Sequence, residues 1–194
     1  SDEAVDFSDK LMEFVSYYAI LGSSELAGEK GAYSSFKGSK WDRGLMPLDT
    51  LALLEEERGM PIEGVDRKTR LDWNVVRESI KKNGMRNSNT MAIAPTATIS
   101  NISGCIPSVE PIYKNIYVKS NFSGEFTVVN EYLVKDLKEV KLWTPAILEK
   151  IKLNEGNIST ISEIPQNIRD KYKEAFQVDS YFVVKHAAYR GKWI

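Results

Sequence analysis

The residues best suited to chemistry in this chain lie between Met91 and Gly104, where the sequence reads MAIAPTATISNISG. Met91 to Ala94 is a short apolar run that predicts a strand. Pro95 breaks it, and Thr96, Ala97, Thr98, Ile99 and Ser100 follow as a mostly small, hydroxyl-bearing run that predicts entry into a helix. A helix start leaves its first main-chain N–H groups without carbonyl partners, and the aligned peptide dipoles place partial positive charge there. Such a point suits an anion, phosphate above all, and small side chains let the anion reach the backbone. On the residues alone, the same pattern also describes an ordinary strand-to-helix turn.

Other chemical equipment is scarce. The chain has one cysteine, Cys105, and one histidine, His186. A single thiol excludes an internal disulfide or a thiol pair within the chain, and the pair of residues argues against a zinc site of His/Cys type. Cys105 reads as a buried or half-buried small residue rather than a redox group. His186 sits in an apolar, helix-like stretch and reads as a core residue rather than the base of a triad. Binding and positioning are therefore the expected roles, not proton transfer by side chains. No cofactor is expected on this chain, and no metal or catalytic residue is assigned to it.

The elements that must position the loop can be read from period and punctuation. Ala4, Phe7, Leu11, Phe14, Val15, Tyr18 and Leu21 recur at helical spacing and predict an amphipathic helix with these residues on the core. Gly22 and Ser23-Ser24 loosen it, helix resumes over Glu25 to Glu29, and Gly31 ends it. Residues 32–44 read as a loop anchored by Phe36 and Trp41. Pro47 to Thr50 turns into a short helix, Leu51 to Arg58, and residues 59–70 read as polar and exposed. Asp72 caps a helix from Trp73 to Lys82 with Trp73, Val76 and Ile80 on one face, stopped by Asn83-Gly84. Ile112 to Lys119 has strand composition, residues 121–124 turn the chain, and Glu125 to Val129 is extended. Glu110-Pro111 reads as a strand start or an orienting element for the loop. Asn130 caps a helix carrying Leu133, Val134 and Leu137. Thr144-Pro145 and Ile164-Pro165-Gln166 each open another, and the last helix runs from Asp179 to Arg190. Trp41 and Trp73 read as core anchors.

With 194 residues, 42 % of them hydrophobic, the chain is one domain or part of a larger one, with enough apolar content for a core. It has 26 basic and 27 acidic residues, for a net charge of -1. That balance argues against a nucleic-acid polymer as partner, since phosphate backbones select a basic excess. No apolar run approaches the roughly 20 residues needed to span a bilayer, and no signal-peptide pattern opens the chain. No membrane partner is expected, and the expected compartment is the cytoplasm.

Taken in order along the chain, a set of short motifs resembles the large (α) subunit of ribonucleotide reductase, class I type. They are Gly38-Ser39-Lys40-Trp41-Asp42-Arg43-Gly44, Pro47-Leu48-Asp49-Thr50, Asp72-Trp73, Arg77-Glu78-Ser79-Ile80 and Gly84-Met85-Arg86-Asn87-Ser88. They continue with Ala94-Pro95-Thr96-Ala97-Thr98, Val109-Glu110-Pro111, Ser123-Gly124-Glu125-Phe126, Val129-Asn130, Leu137, Trp143, Ile164-Pro165-Gln166 and Arg190-Gly191-Lys192-Trp193-Ile194. Each is weak alone; their order and spacing are specific. The resemblance implies an α/β, mostly helical fold, a portion of a ten-stranded α/β barrel, with residues 1–194 a piece of the catalytic barrel domain cut at both ends.

In that family the proline-led loop holds the substrate diphosphate through backbone amides. The resemblance therefore assigns substrate binding to Pro95, Thr96, Ala97, Thr98 and Ile99, with Ser100 as neighbour. Some bacterial relatives carry Glu where this chain has Ala97, so any proton handling by that Glu is lost here, while the amide contacts survive. The implied reaction replaces the ribose 2′-hydroxyl with hydrogen, begun by a thiyl radical and completed by electrons from a cysteine pair. The motifs for that chemistry, and the family's allosteric ATP-type nucleotide sites, are not in these residues. The implied partners are a ribonucleoside diphosphate, the remainder of the α subunit, a small β subunit carrying a metal cofactor, and a thioredoxin-type reductant. The chain alone is expected to be inactive and to expose apolar edges. The cobalamin-dependent class shares a similar Ala-Pro-Thr loop, which leaves the radical source open, and a non-catalytic phosphate-binding or structural piece is the alternative reading. Arg86 is the expected long-range attractor of phosphate.

Overall fold

The computed structural model describes residues 1–194 except the side chain of Asn121. The chain divides into two compact units, Ser1–Ala94 with Ser180–Ile194, and Pro95–Asp179.

The first unit is helical. Its spine is α1 (Asp2–Lys30), which packs against α3 (Trp73–Asn83) and α8 (Ser180–Gly191). The short α2 (Thr50–Arg58) follows a single 3-10 turn at Pro47–Asp49. Tyr17, Ile20, Met46, Trp73, Val76, Ile80, Met85 and Trp193 form the core, with the Trp73 and Trp193 rings stacked at 5.7 Å. Local signals are obeyed at most helix ends. Ser1 caps α1, Gly31 ends it at φ 80, and the Asp72 side chain accepts the Asn74 N–H at 3.0 Å to start α3. Gly84, at φ 77, ends α3 where an added Cβ would lie 2.9 Å from the Ala32 Cβ.

Two expectations for α1 are corrected. It runs unbroken through Gly22, Ser23 and Ser24, because tertiary bonds hold the small residues. Ser23 Oγ donates to Asn87 Oδ1 at 3.1 Å, and Ser24 and Ser79 share a hydrogen bond of 2.9 Å. The face turned inward is also not the apolar one. Val5, Asp9, Glu13, Ser16, Tyr17, Ile20, Ser23, Ser24 and Ala27 are buried, while Phe7, Leu11, Phe14, Val15 and Tyr18 are exposed.

The physical reason is a buried ionic latch. Asp9 and Glu13 are each 1 % exposed and would be costly to bury alone. The Arg70 guanidinium reaches Asp9 at 2.8 Å and Glu13 at 3.3 Å, and the Arg70 and Leu71 amides donate to Glu13. Lys192, also buried, bridges Asp9 at 3.0 Å and Asp66 at 3.1 Å. Indole N–H groups complete the set: Trp73 donates to Glu13 and Trp193 to Asp9. Burial pulls Arg70 towards losing its proton, but Asp9, Asp6 and Glu13 outweigh it and hold the guanidinium charged well past its ordinary range.

The predicted strand at Met91–Ala94 is not one. The segment has no regular secondary structure and, among the described residues, no strand pairs with it; a strand needs a ladder partner to be defined.

The second unit begins with α4 (Ala97–Ser103), then a hairpin of β1 (Ile116–Asn121) and β2 (Gly124–Val129). Its strands pair antiparallel from Ile116 opposite Val129 to Asn121 opposite Gly124, with Phe122 and Ser123 at the turn. Of the predicted turn over 121–124, the side chain of Asn121 lies outside the described residues. Strand structure starts at Ile116, later than the composition of Ile112 to Lys119 suggests, and no strand starts at Glu110-Pro111. Helices α5 (Glu131–Glu139), α6 (Pro145–Leu153) and α7 (Gln166–Lys171) supply a core of Leu133, Leu137, Ile147, Ile151, Ile158, Ile161, Ile164, Ile168 and Tyr172. Asn130 and Thr144 cap α5 and α6 as their types require. The fold is mostly helical, and among the described residues its one sheet is this antiparallel hairpin, not a parallel barrel sheet.

A polar knot joins the hairpin to the helices. The Asn115 amide donates to Glu174 at 2.8 Å, its carboxamide donates to the Gly156 and Tyr172 carbonyls, and Asn130 donates to Asn115 Oδ1 at 3.0 Å. Gly156, at φ 95, borders it. An added Cβ there would meet Glu174 Oε1 at 2.7 Å and the Ile116 nitrogen at 2.9 Å. We expect Gly156→Ala to cost roughly 2–4 kcal/mol, against about 1 kcal/mol for Gly59→Ala, whose surroundings are open. Urea denaturation of the two variants checks the ordering, and equal costs would remove the knot from the account.

The latch also sets a pH dependence. Burial pushes the Asp66 carboxyl up, but Lys192 and the Lys68 amide outweigh it and hold the group below the ordinary carboxylate range. The unfolded chain therefore takes up this proton first. The stability contributed is complete above the unfolded value and is lost as pH falls through the lower folded value. Urea midpoints should drop below about pH 4, and Asp66→Asn should flatten that acid limb. Parallel acid limbs for the two proteins would contradict it.

Candidate phosphate-binding loop

Pro95 leads into Thr96, which stands outside helical geometry at φ -114, ψ 29 and precedes the first residue of α4. Thr96 supplies no side-chain cap; its carbonyl accepts the Ser100 amide at 2.8 Å. Among the described residues, nothing in the chain accepts a hydrogen bond from the Ala97, Thr98 or Ile99 amides. Those three donors sit in one turn, with Thr98 and Ile99 exposed beside them. The absence of a hydroxyl cap matters, because a capping oxygen would have taken one of them.

The turn is held from behind. Ser100 is buried, and its Oγ donates to the Ala97 carbonyl at 3.3 Å. Asn101, one turn on, donates to the same carbonyl at 2.9 Å and accepts from the Lys119 ammonium at 2.8 Å. The helix closes at Gly104 (φ 65), with the Cys105 amide bonded to the Ser100 carbonyl at 3.0 Å. Lys119 belongs to β1, so the hairpin places a cation against α4. Pro95, Thr96, Ala97, Thr98, Ile99 and Ser100 are thus contiguous around one turn, with Ser100 as the inward anchor. Asn101 and Lys119 were not singled out by sequence. Asn101 stands four residues after Ala97, a readable local pattern; the Lys119 contact crosses 18 positions and has no local signature.

None of the loop's side chains titrates near neutral pH, so it can hold an oxyanion but cannot move its proton. Cys105 is exposed, contrary to the buried reading, because α4 is too short to cover the residue after its C-terminus. His186 is half-buried on α8, where burial and then Arg190 lower its proton affinity. Arg86 donates to the Lys30 and Gly31 carbonyls at the end of α1. A cleft of about 290 Å³ in the first unit is lined by Ala19, Gly22, Ser23, Leu26, Asn87, Asn89 and Thr90, and brings no titratable group. Among the described residues no cluster of His, Cys, Asp and Glu could hold a metal, and no helix is long and apolar enough to cross a membrane.

Amide exchange checks this geometry directly. The Ala97, Thr98 and Ile99 amides should exchange at nearly unprotected rates, with Ser100 and Cys105 at least about tenfold slower. Uniform protection across residues 97–105 would mean that the donors are already occupied.

The family model for the ribonucleotide reductase barrel domain matches residues 1–194. A ribonucleoside-diphosphate reductase subunit alpha from Chlamydia pneumoniae is 50 % identical over 194 residues, covering 100 % of this chain and 19 % of that protein. Large subunits from Trypanosoma brucei brucei and Arabidopsis thaliana are 39 % and 35 % identical, over 99 % and 100 % of this chain and 23 % and 22 % of theirs. The chain spans about a fifth of the length of the curated relatives it matches.

Proposed function

The chain belongs to the ribonucleotide reductase barrel-domain family, and on that premise we propose that it is the part of a ribonucleoside-diphosphate reductase α subunit that grips the substrate's diphosphate. The observation that carries this reading is the set of free Ala97, Thr98 and Ile99 amides behind Pro95, at the loop through which the family holds that group. The substrate is a ribonucleoside diphosphate, whose terminal oxygens accept from the amides. Lys119 and Asn101 stiffen the turn and put positive charge behind it.

The residues form one part of a longer catalytic barrel domain. The length of the relatives supports this, since the matched segment is about a fifth of each of them. Reduction of the ribose 2′ carbon needs a thiyl radical and two further thiols as electron donors. One exposed cysteine cannot provide them, so that chemistry belongs to the remainder of the α subunit. The radical originates at a metal cofactor on a separate β subunit, and a thioredoxin-type protein returns the electrons. This chain orients the substrate for those groups and turns over nothing alone; its place of action is the cytoplasm.

Titration calorimetry with a ribonucleoside diphosphate tests the loop. Thr98→Pro deletes one donor at a first-turn position where proline keeps helical geometry. Losing one charge-assisted hydrogen bond, about 1.5–3 kcal/mol, should weaken binding by at least roughly tenfold. Equal affinity would remove the loop from the site.

A further inference from the structure

The exposed stripe on α1 is not random surface. Ala4, Phe7, Leu11, Phe14 and Tyr18 alternate in steps of three and four residues, the repeat of a helix–helix seam, and Leu21 continues the spacing where the stripe turns onto the core. Phe7 is 67 % exposed, Leu11 50 %, Phe14 55 % and Tyr18 51 %. Rotating α1 to bury them is not open to the fold, because the opposite face is held by Arg70, Lys192 and Trp193 through Asp9 and Glu13. The ends of the stripe carry no strand-like pattern, and a seam only two residues wide fits a rod rather than a sheet.

We propose that this stripe docks an amphipathic α-helix supplied by the part of the longer reductase polypeptide outside these 194 residues. The proposal rests on the reading above that the chain is one part of a longer α subunit. The curated relatives are about five times longer than the matched segment, so the same polypeptide has ample chain to supply the helix. The four large side chains with Val15 present roughly 600 Å² of surface, and about twice that counted on both partners, the size of a contact between domains of one chain. A helix tethered in the same polypeptide acts at an effective concentration on the order of millimolar, and so outcompetes a second copy at micromolar levels. The three–four spacing sets its crossing angle near about 20°.

Hydroxyl-radical footprinting read by mass spectrometry tests this on Phe7, Leu11, Phe14 and Tyr18. The 194-residue chain is compared with the full-length α polypeptide that carries it. We expect labelling at least fivefold lower in the longer protein. A double variant, Phe7→Glu with Leu11→Glu, should leave the urea midpoint of the 194-residue chain unchanged and lower the Tm of the full-length protein. Equal labelling in both proteins overturns the docking face. So does protection in the 194-residue chain together with a dimeric mass by light scattering, since a second copy would then be the occupant. Loss of stability in the 194-residue chain on the double substitution also overturns it. The diphosphate titration reads only the loop, so either proposal can fail without the other.

Discussion

Two carboxylates, Asp9 and Glu13, sit on the buried face of α1, and the first unit is arranged around supplying them with partners. Removing such groups from water costs several kcal/mol each unless counter-charges and hydrogen bonds replace the lost solvent. Here the replacements come from far along the chain: Arg70 and its amide, the Leu71 amide, the Trp73 indole, and Lys192 with Trp193. Each contact ties a different segment to one helix face. The Arg70 contact brings the loop before α3 onto α1, the Trp73 contact sets where α3 begins, and the Lys192-Trp193 contact seats the residues after α8. The indole stack of Trp73 on Trp193 follows, because both rings are already drawn to neighbouring carboxylates. Leaving any cation out would strand a buried charge, so the set closes together.

The latch also explains which parts of the fold were legible in the sequence. Helix ends were, because their causes are local: Asp72, Asn130 and Thr144 accept the amides their types suit, and Gly31 and Gly84 take the positive φ that other residues avoid. The buried face of α3 was legible because Trp73, Val76 and Ile80 are both apolar and inward. The face of α1 was not. Its apolar stripe obeys the helical period, but its inward face is chosen by ions whose partners lie more than fifty positions away. Periodicity weighs only apolar transfer and has no term for a buried carboxylate that meets its cation. Met91–Ala94 failed for a related reason. Strand composition states a willingness to pair, and pairing depends on another segment being present.

In the second unit the loop was legible in type but not in support. Pro95 through Ser100 announces a proline-led helix start, and the helix forms one residue after Thr96. What holds it does not show in the run itself. Asn101 and Ser100 both bond to the Ala97 carbonyl, and Lys119 reaches Asn101 from the hairpin. The hairpin in turn is fixed by Asn115, whose backbone and side chain are satisfied by Glu174, Gly156, Tyr172 and Asn130. The polar knot is thus two steps removed from the amides, yet it fixes the strand that carries Lys119. A peptide group whose carbonyl is already hydrogen-bonded is polarised and is a better donor through its own N–H. The bonds into the Ala97 carbonyl therefore sharpen the Thr98 amide, the donor across that peptide bond.

An anion held by main-chain donors makes weak demands on side-chain identity, and this bears on the division of labour in the proposed reaction. Pro95 sets the turn, Ser100 anchors it, and the residues between need only be small enough to allow approach. Ala97 meets that need without adding a proton donor, so the loop can fix the substrate's charged end while taking no part in proton transfer. Radical reduction has the opposite requirement. It depends on particular sulfur atoms at particular distances, which a backbone cannot imitate. A fold that separates the two can place the amide grip on one supported turn and the thiols on another part of the polypeptide. Its accuracy then rests on how firmly the pieces are held together.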